Sequence, residues 1–85
     1  MTIENITKQI QEIISAQIGH EIPYDDFLLE NGMDSISIIE AITTIEETFN
    51  IEFEPNMLNY KLLKSIRTIS IHTYNLLCED KNTEI

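Results

Sequence analysis

Gly32-Met33-Asp34-Ser35-Ile36 closes a long irregular segment and opens a strongly periodic one. Glycine supplies a turn or a close backbone approach. An aspartate just before a helix is a good N-cap, because its carboxylate accepts from the unpaired N–H groups of the first turn. Ser35 then falls on the first helical residue. Beyond it, Ile38, Ile42, Ile45 and Phe49 recur at the i, i+4, i+7, i+11 spacing of one helix face. Ser35 is thus a hydroxyl at the positive end of a helix, next to an acidic cap. A phosphate oxygen added there would meet free N–H donors. On a wheel of 100° per residue the four apolar positions cluster within roughly 60°, with Ile39 about 90° and Ile36 about 150° from their centre. Ile36 is therefore expected to face water beside the serine rather than pack with Ile42.

Upstream, His20 to Asn31 reads as a long loop. Pro23 sets an extended entry, Asp25-Asp26 begin a short turn, and Ile22, Tyr24, Phe27 and either Leu28 or Leu29 anchor it. Loops beyond about 12 residues are uncommon in compact domains and often functional; this one would deliver residues 32–35 to the surface. A first helix precedes it, capped by Thr2 and stopped by Gly19 at C′, with Ile3, Ile6, Ile10, Ile13 or Ile14, and Ile18 turned inward. Its polar face is scaffold.

Downstream, Asn50 ends the second helix and Ile51 to Pro55 is extended. Pro55 starts a short helix as its first residue, with Met57, Leu58 and Leu62 inward. Ser65 caps the last helix, whose core positions are Ile66, Ile69, Thr73, Leu76 and Leu77. Residues 80–85 are polar and expected to fray. These elements predict an all-α fold. It is a small antiparallel bundle of three long helices plus one short helix, with a long first loop. Residues 1–85 form a single domain, ordered over about 2–79.

Charge narrows the function. The net charge is −10, and between Lys8 and Lys61 there is no lysine or arginine while eleven acids fall there. Nucleic acid is excluded as a partner, since such binding relies on Lys and Arg at phosphates. A protein with a basic patch would be steered toward this surface instead. With two Gly, two Pro and no Trp, helices are favoured over a turn-rich β fold. No apolar run reaches the ~20 residues that span a bilayer. The start, Met1-Thr2-Ile3-Glu4, has no signal-peptide character, and one cysteine gives no intramolecular disulfide. A cytoplasmic monomer is expected.

Catalytic patterns are missing. Asp25, Asp26, Glu30, Asn31, Gly32 and Asp34 resemble a calcium loop, but placing Gly32 at position six puts Phe27 at one and Ile38 at twelve, neither of them a ligand. His20 and His72 lack companions at metal-ligand spacing, so no metal is expected. Cys78 has no basic group spaced to activate it and reads as a structural or half-buried residue. No Gly-x-Ser-x-Gly elbow surrounds Ser35, and there is no phosphate-cradling loop. Glu46 and Glu47 are adjacent and point in different directions. The chain is not expected to be an enzyme.

The stretch around Ser35 resembles the attachment site of the acyl and peptidyl carrier proteins, whose pattern is Gly, apolar, Asp, Ser, then Leu, Ile or Met. Asp26 to Gly32 is similar to that family's loop into the site, and Ile45-Glu46-Glu47-Thr48-Phe49 looks like its "L-E-E-x-F" helix close. The likeness is most specific from Asp26 to Phe49 and weak after Phe53. It implies a 4′-phosphopantetheine arm on Ser35, with Gly32 and Asp34 shaping the site, and acyl or aminoacyl groups held as thioesters on the arm's thiol. A phosphopantetheinyl transferase would attach the arm from coenzyme A. Loading and condensing enzymes with basic docking patches would then meet Ile36, Ile39, Glu40, Thr43, Glu46 and Glu47. Fatty-acid, polyketide or nonribosomal peptide assembly are the pathways implied. Peptidyl carriers more often have a second glycine and His in place of Met33-Asp34, so the acyl carriers are the nearer likeness. The alternatives are a peptidyl variant, or an unmodified acidic helical interaction module.

Overall fold

The computed structural model describes residues 2–59, 61 and 63–82. Three α-helices carry the fold: α1 (Ile3–Ile18), α2 (Ser35–Phe49) and α3 (Ile66–Asn82). Short 3₁₀ turns lie at Leu28–Glu30 and Pro55–Met57, and no strand occurs among the described residues. The regular structure of the described residues is all helical. The short helix expected from Pro55 is a single 3₁₀ turn, with Pro55 at its start as predicted. The long first loop is broken by the turn at Leu28–Glu30.

Local chemistry fixes the helix ends. Thr2 Oγ1 accepts from the Asn5 N–H at 3.2 Å, and Gly19 closes α1 at φ +87°, where an added Cβ would strain the backbone. The Ser65 hydroxyl accepts from the Thr68 N–H at 3.2 Å at the start of α3. Asn50 ends α2 at φ +55°, a left-handed position that asparagine tolerates at C′. α3 runs to Asn82; residues 83–85 lie outside the described residues.

α1 packs against both α2 and α3. The core is isoleucine-rich: Ile6, Ile10, Ile14, Ile22, Leu28, Ile45, Ile66 and Ile69 are fully buried, with Ile38, Ile42 and Phe49 close behind. Thr7, Ser70 and Thr73 are also buried and donate to the carbonyls of Ile3, Ile66 and Ile69 four residues back, which satisfies their hydroxyls locally. Leu76 and Leu77 pack partly against this core, as do Ile13 and Ile18.

Several expected core positions differ. Ile3 sits at the solvent end of α1, and Phe27 and Leu29 are exposed while Leu28 takes the core site. The turn at Leu28–Glu30 explains this, because it presents only one of three consecutive apolar side chains inward. Met33 and Phe53 are buried in the core without having been assigned there. Cys78 is exposed rather than half-buried. Leu58 is partly buried as expected; Leu62 and the side chain of Met57 lie outside the described residues.

Two chain segments about 40 residues apart are bridged. The Leu28 N–H donates to the Lys64 carbonyl at 2.8 Å, and the Arg67 N–H to the Tyr24 carbonyl at 2.9 Å. Arg67 also grips Asp25 with both ends of its guanidinium, at 2.7 and 3.2 Å, and lies over the Tyr24 ring. Lys64 lies over the Phe27 ring. The first loop is thereby fastened to the start of α3.

Candidate functional site

The site is built by the entry to α2. Gly32 takes φ +95°, which turns the chain out of the loop. Met33 then drops into the core at 3 % exposure, and its N–H donates to the Leu28 carbonyl at 3.3 Å. This buried anchor fixes where the next two residues emerge. Asp34 is extended and caps α2, its Oδ1 accepting from the Ser37 N–H at 2.8 Å. That backbone hydrogen bond, aided by the Ser37 hydroxyl, holds the Asp34 carboxyl below the ordinary aspartate range. Ser35 is the first residue of α2 and is exposed. It lies beside N–H groups of the first turn and a carboxylate already committed to the cap.

The end of α1 braces this entry. Gln17 Nε2 donates to the Ser37 carbonyl at 2.7 Å, and His20 lies against Gly32, 3.7 Å from where a Cβ would stand. On the other flank, Ser35 borders a cleft of about 230 Å³ lined by Leu29, Ile38, Ile39, Leu58, Asn59 and Leu63. Its walls come from the first loop, from α2 and from the segment between α2 and α3. A largely apolar cleft thus borders an exposed serine side chain.

The outward face of α2 carries the other residues singled out in the sequence. Ile36 is 72 % exposed and Ile39 45 %; Glu40, Thr43 and Glu47 are exposed as well. The loop does not fold over Ile36. Glu46 differs: it is half-buried, and its Oε2 accepts from the Phe53 N–H at 2.8 Å. It serves the chain's own backbone, a role the sequence reading did not give it. Sequence reasoning also missed Met33, Leu29, Leu58 and Leu63 as parts of the site. These four sit in 3₁₀ turns and connecting segments, which have no helical period to read.

Comparison with known proteins agrees with this geometry. The family model described as "Phosphopantetheine attachment site" matches residues 8–72, which spans most of α1, all of α2 and the first turns of α3. The acyl carrier protein of Buchnera aphidicola subsp. Baizongia pistaciae (strain Bp) is 41 % identical over 54 residues, covering 59 % of this chain and 69 % of the relative. The chain belongs to the acyl and peptidyl carrier family, and its cofactor is covalently attached 4′-phosphopantetheine.

Proposed function

We propose that Ser35 bears the 4′-phosphopantetheine arm and that the chain carries acyl groups as thioesters on it, for fatty-acid or polyketide type assembly. The observation that carries this reading is the placement of Ser35: exposed, first in α2, behind the Asp34 cap and at the edge of an apolar cleft. When bound, the arm supplies the thiol that forms the thioester. The protein's own residues present it, and tethering raises the effective concentration of cargo at each partner. No catalytic group of the chain is needed. The name of the Buchnera relative favours acyl over aminoacyl cargo.

The partners are a phosphopantetheinyl transferase and loading or condensing enzymes with basic patches. Ile36 and Ile39 would form the apolar centre of the contact, with Glu40, Thr43 and Glu47 around it. Such exposed acids act mainly on encounter rate and are screened by salt.

Incubation with coenzyme A and a broad-range transferase tests this. Intact mass and peptide mapping should show one arm per chain, on Ser35. Ser35→Ala should abolish it while leaving stability almost unchanged, as an exposed helix position tolerates alanine. Full modification of Ser35→Ala would refute the assignment. The mass of cargo on protein from its native source then distinguishes acyl from aminoacyl.

A further inference from the structure

Glu46 and Glu47 are neighbours of identical chemistry, yet the fold gives them different work. Glu47 is exposed. Glu46 organises the exit from α2 through both its backbone and its side chain. Its carbonyl accepts from the Asn50 N–H and from the Ile51 N–H, the latter at 3.0 Å. Its carboxylate accepts from the Phe53 N–H at 2.8 Å. Three donors at the exit of α2, the N–H groups of Asn50, Ile51 and Phe53, thus converge on one residue. Phe53 is itself 3 % exposed, so its N–H has little access to water, and losing the acceptor would leave a buried donor unpaired.

That contact has a destination. Just past Phe53, Pro55–Met57 forms the 3₁₀ turn, closed by the Leu58 N–H donating to the Pro55 carbonyl at 3.2 Å. Leu58 and Leu63 line the same cleft as Ser35, Ile38 and Ile39. The turn is short and contains a proline, so the position of Phe53 is transmitted to Leu58 with little slack.

We infer that Glu46 is a positioning residue: its acceptor oxygen, not its charge, holds residues 51–58 against α2 and so sets part of the cleft that Ser35 borders. Glu47 is left as the charge that a partner meets. This rests on the reading of Ser35 as the attachment point.

The experiment combines amide hydrogen exchange with arm transfer to Ser35 over a salt series. Glu46→Ala should speed exchange of the Phe53 amide at least fivefold and that of the Leu58 amide detectably. It should lower kcat/KM for transfer severalfold at every salt concentration, with the salt dependence unchanged. Glu46→Gln keeps an acceptor oxygen at the same reach and should restore both readings to within about twofold. Glu47→Gln should do the reverse, flattening the salt dependence while leaving Phe53 protected. Should the alanine variant lose its fold, Glu46→Asp, one methylene short, grades the same effect.

Two results overturn the inference. One is Glu46→Gln as impaired as Glu46→Ala with a flattened salt dependence, which makes Glu46 a docking charge. The other is Glu46→Ala indistinguishable from wild type in both readings. Absence of any arm on Ser35 would instead defeat the functional reading, and the exchange result at Phe53 would still decide the role of Glu46.

Discussion

Ile36 and Ile42 lie on one helix and meet opposite environments, 72 % and 2 % exposed. Identical side chains therefore separate the proposed contact surface from the core. Ile42→Ala should cost ~2–5 kcal/mol as a core truncation, and Ile36→Ala well under ~1 kcal/mol as a surface change. Chemical denaturation of the two variants checks this, and loading assays should show the deficit in Ile36→Ala instead. Equal destabilisation would place Ile36 in the core. This contrast was legible from helical period alone, because α2 is regular and its apolar face narrow. The placement of Leu28 against Leu29 was not, since a three-residue 3₁₀ turn has no period long enough to read.

Asp34 gives a second residue-scale test. Its folded carboxyl lies below the ordinary aspartate range because the Ser37 N–H stabilises the anion. Stability from this cap is fully present above the unfolded pKa, about 4, and is lost as pH falls through the lower folded value. Asp25, depressed chiefly by its hydrogen bond to Arg67, acts in the same direction. Acid titration followed by circular dichroism should show stability falling below about pH 4. The fall should be shallower in Asp34→Asn, which keeps a capping oxygen but does not titrate. An unchanged acid limb in that variant would exclude the cap as a cause.

At the scale of elements, caps and turns were readable and bridges were not. Thr2, Gly19, Asp34, Asn50, Pro55 and Ser65 each act within a few residues, so their chemistry shows in sequence. The fastening of the first loop to α3 joins Asp25 to Arg67 across 42 residues, and no local pattern encodes such a partner. The ion pair is largely exposed, 49 % and 73 % for its side chains. By itself it should therefore contribute little. Arg67→Gln is expected to leave the melting temperature nearly unchanged, with amide exchange rising at Leu28 and at position 67. A large loss of melting temperature would mean that the ion pair, rather than the backbone bridge, holds the loop.

For the whole molecule, a net charge of −10 is confined within 42 × 25 × 20 Å. At 0.01 M ionic strength the screening length is about 30 Å, longer than either short axis, and at 0.1 M it is about 10 Å. Self-repulsion therefore acts across the molecule in dilute buffer and only between neighbours at moderate salt. Melting temperature should rise between these two conditions. Arm transfer should slow over the same range, as steering toward a basic partner is screened, and Glu40→Lys with Glu47→Lys should be most damaging at the lower salt. A melting temperature that falls with salt would show attractive pairs outweighing the repulsion.

The bridge between the first loop and α3 also has a place in time. The exit of α2 closes within seven residues of Glu46, whereas the bridge must bring together segments 42 residues apart. Loop-closure entropy makes distant pairings late. The bridge should therefore be absent from the folding transition state. Leu28 is fully buried at its centre, so Leu28→Ala carries enough energy, ~2–5 kcal/mol, to measure a φ-value. Stopped-flow measurements should find the loss mostly in faster unfolding, with φ near zero, while Ile45→Ala in α2 slows folding. The residues that fasten the first loop to α3 would then govern how long the native state lasts rather than how quickly it is reached.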